Sequence, residues 1–435
     1  MSMHLPSALF TFEGKSVRLK QTVYFLLLLA ALSLPLSVEW QITKTTVWNF
    51  PLELFAPLTA GMTLIGIIVC RHEFKSKFTD FAVLMFLIAA AISAAFSRMP
   101  VYSVKATLVL AVYAAAFYFS FRFLNLRREQ WNFIWRVIAI AFALLMVYTL
   151  IRYFQMGIHR KHSYEMSLPF IPGHTLLVAV GFPAFLVFLN ELLRKENVKL
   201  NSVFVALFVF VSAVSYSRIY WVIIPLTCFT LVFFYLKKIR IILMVATAVL
   251  IVGGAIAYRV IDEKRIRERA WEDPDDHNSL FVQIQSIFLW SKNESNIERS
   301  NRWKVAKEIF KLHPVTGSGL NTYLEVYFWY KARAKIQETN LSCNRMNAHQ
   351  LYVGWLSDMG IIGFIAGTVL MASFLMQVLR LRGSAEFVPA LLLFLNFFAL
   401  GWIEDFTTLE KIMTVFWISL AYVLFLAGSK IQSPR

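Results

Sequence analysis

The sequence predicts an all-α, polytopic membrane protein of about twelve transmembrane helices, with one large, mostly helical segment outside the membrane. Hydrophobic residues fill 58% of its 435 positions and charged residues only 16%, a balance that soluble domains rarely show. Apolar runs near the roughly twenty residues that cross a bilayer recur along the chain. Lys and Arg collect in every second short connection between those runs, as they do in loops that face the cytoplasm.

Lys15, Arg18 and Lys20 precede the first run, which is too long and lacks the cleavage signature of a removed leader. The expected spans are 22–38, 53–70, 79–97, 103–121, 132–151, 174–193, 201–217, 219–236, 240–258, 349–378, 385–403 and 412–428. Only the tight turn Ser215 to Arg218 separates the seventh from the eighth. Three parts result: 1–258 with nine helices, a large loop at 259–348, and 349–435 with the last three helices. The basic connections are Arg71/Lys75/Lys77, Arg122/Arg127/Arg128, Arg194/Lys195/Lys199, Lys237/Lys238/Arg240 and Arg380/Arg382. Their alternation places both termini in the cytoplasm and the large loop outside, since long loops translocate largely regardless of charge. The net charge of +17 then reflects cytoplasmic loops and sites for anionic headgroups rather than nucleic acid. Cys70, Cys228 and Cys343 are far apart, and the first two lie in spans, so neither a disulfide framework nor a zinc cluster is expected.

The outer segments carry the chemistry. Loop 39–52 is short and aromatic, with Trp40 and Trp48 suited to the interfacial belt. Loop 152–173 holds Arg160 and His162 and runs into His174. The large loop opens on a charged helix ending near Pro274; SLFVQIQSIFLW at 279–290 suits the membrane surface. RWKVAKEIFKL forms an amphipathic helix with Trp303, Ala306, Ile309 and Phe310 on its apolar face. Pro314, Gly317 and Gly319 then end it.

Arg299 and Arg302, three apart, share a face of that helix, either as a solvated surface or as a phosphate clamp. Arg218, at the outer end of two spans, is either a snorkelling anchor or a fork-shaped phosphate donor. His349 begins an apolar run, with Asn347 a candidate N-cap. The positive helix terminus would favour a neutral imidazole able to accept a proton. Glu404 and Asp405, beyond the eleventh span, are candidate partners for His349 or an arginine. DPDDH at 273–277 has the D-x-D spacing of a divalent-metal site but reads equally as a polar helix end; no metal site is expected.

Together these residues resemble the O-antigen ligase and O-antigen polymerase superfamily. The resemblance rests on Arg299 four before Trp303, the amphipathic helix, His313-Pro314 with Gly317 and Gly319, then His349 and a span containing Gly360 to Gly363. The form SNxERxNRW, Tyr323 in GLNTY and the Asn347-Ala348-His349 triplet resemble one branch of the family. SLPFIPGHT and SYSRIYW occupy the places of two further family features, a Pro-Phe…His segment and a Ser-Arg at a span end. The likeness covers about the last 270 residues and depends on the order of these motifs; the earlier spans match in topology alone. One departure is Gln350, where the family commonly has Asn or Ser after the histidine. It bears on how acceptor groups are oriented.

The resemblance implies cofactor-free, metal-independent glycosyl transfer on the periplasmic face of the inner membrane. The donor would be a glycan on undecaprenyl diphosphate and the acceptor lipid A-core or another glycan, both met among membrane lipids. Arg218 and Arg299 would hold the diphosphate with Arg302 helping, and His349 would deprotonate or orient the acceptor hydroxyl. Displacement in one step would invert the anomeric centre. Arg160, His162 and His174 would be secondary contacts to donor or acceptor. An O-antigen ligase is the first expectation. A polymerase, or a protein O-oligosaccharyltransferase, would share the donor site. A flippase for the same lipid-linked sugar would need polar residues deep in several spans.

Overall fold

Each expected span among the described residues becomes a helix, because a chain in hydrocarbon must satisfy its backbone polar groups within itself. The computed structural model describes residues 7–12, 16–43, 46–72, 74–157, 160–235, 294–337 and 347–432. In order come α1 (Val17–Leu36), the strands β1 (Val38–Thr43) and β2 (Thr46–Phe50), α2 (Leu52–Val69), α3 (Phe78–Ala95), and α4 (Pro100–Leu124) with a π turn inside it. Then follow α5 (Arg128–Met156), α6 (His174–Leu193), α7 (Val198–Val214) and α8 (Arg218–Tyr235). After the undescribed stretch come α9 (Glu294–Leu312), α10 (Tyr323–Ala334), α11 (Leu351–Arg380), α12 (Phe387–Gly401) and α13 (Glu410–Gln432). Among the described residues nine helices are long and apolar enough to cross a membrane, with α7 and α12 shorter. The protein is therefore an all-α polytopic membrane protein. The expected span at 240–258, the loop residues through 293 with DPDDH and SLFVQIQSIFLW, and Cys343 lie outside the described residues.

One expectation is corrected near the start. Segment 38–50 is an antiparallel hairpin with Trp40 opposite Trp48, not an aromatic loop. β-Branched and aromatic residues alternate with polar ones there, and a cross-strand aromatic pair stabilises such a ladder.

Helix α13 runs through the interior: Met413, Val415, Phe416, Trp417, Ile418 and Leu420 are all buried, so every side of it is covered. It packs on α4, α6 and α11. One polar cluster inside the spans is paired across two helices. Asp80 of α3 receives Arg122 Nε and Nη2 of α4 at 2.8 Å each and the Tyr118 hydroxyl at 2.6 Å. Removing one partner of such a buried ion pair costs about 3–5 kcal/mol, so this contact fixes α3 against α4 at the end away from His349.

At the other end, the His-Pro-x-x-Gly-x-Gly stretch does more than stop a helix. Gly360 breaks α11 with φ 64 and ψ −161, and residues 314–319 lie in the notch. Ile361 N–H donates to Pro314 O at 2.8 Å, Ser318 N–H to Ser357 O at 2.9 Å, and Gly319 N–H to Asp358 O at 2.8 Å. A Cβ on Gly317 would stand 2.3 Å from the Asp358 carbonyl, and one on Gly360 2.3 Å from Val315 O. Both positions also need positive φ, which glycine alone adopts freely. Asp358 Oδ2 accepts from Asn321 N–H at 2.8 Å, and Ser97 Oγ donates to Ser318 O at 2.9 Å. The amphipathic helix is thereby bolted to α11 and to the α3–α4 turn, which sets the arginines relative to the histidine.

Candidate functional site

Helix α9 buries a stripe at Glu298, Asn301, Arg302, Val305, Ala306 and Ile309, spaced three and four apart as one helical face requires. This revises the expected face: Val305 takes the seam, and Trp303 and Phe310 are only half-buried. Val305, Ala306 and Ile309 join Tyr323, Val326, Tyr327 and Tyr330 of α10 and Ala348 in a second core above the bundle. Its hydrogen bonds pin the arginine turn in place. The Tyr323 hydroxyl donates to Arg302 O at 2.9 Å, and Asn301 Nδ2 donates to Gln337 O at 2.6 Å.

His349 stands just before α11 with φ 54, a left-handed conformation uncommon outside glycine. Asn347 is not the N-cap; that position belongs to Gln350 (φ −162, ψ 125), because α11 starts later than the asparagine would require. Asn347 instead holds the site. Its Oδ1 accepts from His349 N–H at 3.1 Å, and its Nδ2 donates to Glu404 Oε1 at 3.1 Å. The other carboxylate oxygen, Oε2, lies 2.9 Å from His349 Nδ1. A carboxylate only accepts, so the tautomer with its proton on Nδ1 faces Glu404 and leaves the lone pair on Nε2. The ring's neighbour is therefore Glu404, one of the two candidate partners the sequence offers for it.

Electrostatics tie Arg299 and Arg302 to this pair. Burial by itself would push the Glu404 carboxyl up, but His349, Asn347 and Arg299 outweigh it and hold the group below the usual carboxylate range. Glu404 is thus ionised at neutral pH. Burial pushes the Arg299 guanidinium down, Glu404 opposes that, and Arg302 adds to it by like charge. Burial does the same to Arg302, opposed by Tyr323 and Glu298. Arg299 Nε is buried without a hydrogen-bond partner among the described residues, a donor that costs free energy until a ligand meets it. The sequence reading missed Glu298; its position four before Arg302 is the spacing of a helical ion pair.

Asp405 is buried beneath Glu404. Its Oδ1 accepts from the Thr407 N–H at 3.2 Å, and its Oδ2 fills the space a side chain on Gly354 would need. Burial, and then the Glu404 charge, push its carboxyl up to about 7. A carboxyl raised in the folded state holds its proton longer than in the unfolded chain, so stability falls as pH rises from the unfolded value toward 7. Asp405→Asn should remove that slope. Thermal unfolding of detergent-solubilised protein between pH 5 and 8 checks it; an unchanged slope in the variant would exclude Asp405 as its source.

The remaining predicted residues form a second group at the heads of α6 and α8. Arg218 is the first residue of α8, after a turn in which Ser217 Oγ lies 3.1 Å from Thr175 Oγ1. His174, beside Thr175, meets the Tyr164 ring edge-on at 4.3 Å. His162 Nδ1 lies 2.9 Å from Gly157 O, and Arg160 opens the same short 3-10 turn, Arg160–Tyr164. Two residues after Arg218, the Tyr220 hydroxyl donates to Asn396 of α12 at 3.2 Å, the helix that leads into Glu404. The two groups thus hang on neighbouring helices.

Fold and site together define a multi-pass membrane protein with a histidine–carboxylate pair and buried guanidinium groups at one end of its bundle. Residues 203–368 match the family model described as O-antigen ligase, so this part of the chain is similar to the O-antigen ligase superfamily. The match spans Arg218, Arg299, Arg302 and His349, whereas Glu404 and Asp405 lie beyond it. No curated protein matches the chain.

Proposed function

We propose that this protein is an O-antigen ligase-like, inverting glycosyltransferase that moves a glycan from undecaprenyl diphosphate to lipid A-core at the periplasmic face of the inner membrane, with both termini cytoplasmic. The observation that carries the reading is the contact between His349 Nδ1 and Glu404 Oε2 at 2.9 Å, with Arg299 close enough to lower the Glu404 pKa. It sets a proton acceptor beside a cationic surface. The acceptor hydroxyl attacks the anomeric carbon as its proton passes to His349 Nε2, and Glu404 stabilises the imidazolium that forms. The bond from the anomeric carbon to the diphosphate oxygen breaks, and the diphosphate leaves with the electron pair. Arg299, with Arg218 and helped by Arg302, neutralises the charge that builds there, a role fixed donors fill well in a water-poor site. His162, His174 and Arg160 contact the sugars. Gln350, buried at the helix cap, lines the acceptor side.

The test is purified protein in nanodiscs, given undecaprenyl-diphosphate-linked glycan with lipid A-core, in buffer containing EDTA. Expected is a single glycan joined to lipid A-core, undiminished by the chelator. Product growing on the lipid carrier instead would identify a polymerase. Loss of activity with EDTA and recovery with manganese would overturn the metal-independent mechanism.

A further inference from the structure

Between α2 and α4 lies an open groove of about 610 Å³, within the roughly 300–1,000 Å³ of ordinary ligand sites. Its wall is one face of α4, with Val101, Val104, Leu108 and Val112 at helical spacing, opposed by Pro57 of α2. Its floor is held by hydrogen bonds: Asn49 Nδ2 reaches both Glu53 Oε1 at 3.4 Å and Glu410 Oε2 at 2.8 Å, and Glu410 Oε2 also accepts from the Tyr113 hydroxyl at 3.2 Å. Lys105 also lines the groove. It stands exposed within a span and forms no ion pair among the described residues. A cation inside a membrane span is costly unless an anion meets it, and so marks a functional site by default.

The groove leads to the candidate site. Pro100 forms part of its lining, and the adjacent Met99 packs on the second core that contains Ala348, the residue before His349. It also approaches His349 from the side away from Arg218. Helix α4 packs on α2, α3 and α13, whereas α8 packs on α6, α7 and α12. Helix α11, which His349 precedes, packs on both α3 and α12. A base that takes a proton from the acceptor belongs between the two substrates.

Resting on the glycosyltransferase reading above, we infer that this groove seats the hydrocarbon chains of a lipid-borne acceptor, with Lys105 facing its phosphate. The acceptor is then a phosphorylated glycolipid rather than a protein side chain. Rigid apolar walls and one cation suit an anionic amphiphile.

The experiment compares lipid A-core with the same oligosaccharide after removal of its acyl chains, using the intact protein in nanodiscs. Val104→Trp narrows the groove, and Lys105→Ala removes the charge without adding bulk. Each should raise KM for lipid A-core by about 10-fold with KM for the donor unchanged; transfer to the deacylated oligosaccharide, which keeps its phosphate, should be unchanged in Val104→Trp and weakened in Lys105→Ala. Equal slowing of both acceptors by Val104→Trp would make the groove structural only. A raised donor KM would assign it to the carrier lipid, and unchanged kinetics in both variants would leave it to bulk phospholipid. Each of these results overturns the inference and leaves the reaction assignment standing. Unmodified protein that transfers glycan to no lipid-borne acceptor would overturn both.

Discussion

His349→Ala is expected to lower glycan transfer by at least about 10³-fold, the upper part of the range for removing a general base, while the protein still accumulates in the membrane. Among the described residues the ring's polar contact is with Glu404, and it sits outside the two cores, so packing loses little. Alanine keeps the left-handed φ of 54, a strain of about 1–2 kcal/mol, with no polar side chain to offset it. His349→Asn avoids most of it, since asparagine tolerates the left-handed region, and should be equally inactive. Glu404→Gln keeps the shape but replaces the carboxylate that selects the Nδ1–H tautomer. A loss of at least about 10²-fold is expected there, with donor affinity little changed. In vitro transfer with membrane levels measured in parallel decides the matter. Full activity in His349→Asn would remove the base from the mechanism.

Much of this arrangement is legible in the sequence, and the reasons differ by element. The spans are visible because bilayer thickness fixes their length and hydrocarbon forbids unpaired backbone groups. The same rule exposes the tight turn before Arg218. The hairpin at 38–50 was hidden because Trp40 and Trp48 serve equally well as interfacial anchors and as a cross-strand pair. His349 and Glu404 are 55 positions apart, and no local pattern reports that α11 and α12 return to the same place. The sequence offers the pairing only as one option, since Glu404 at a span end suits His349 or an arginine. An asparagine ahead of a helix reads as a cap, whereas Asn347 joins His349 to Glu404 instead. The bolt between residues 314–319 and the Gly360 break was legible only as helix-stopping residues. Its function depends on two glycines far apart in sequence meeting backbone to backbone.

Arg299→Ala should reduce transfer by about 10²–10³-fold, the usual loss when a fixed donor to developing charge is removed. The loss should appear in use of the donor, because leaving-group charge is what the guanidinium meets. Arg299→Lys separates charge from geometry. A lysine keeps one positive charge but not the planar fork that matches two phosphoryl oxygens, so it should recover only a small part of the activity. Removing Arg299 also takes away a cation that holds the Glu404 carboxyl down, so its pKa should rise and the acidic limb of the pH–rate profile should move toward neutrality. Arg218 offers a sharper test, since it hangs on α8 while Arg299 hangs on α9. If both grip one diphosphate, losing either misplaces the ligand for the other, and the double variant should lose less than the product of the single losses. Strict multiplicativity of the two effects on donor kcat/KM would show that the arginines act independently and would withdraw Arg218 from the shared diphosphate site.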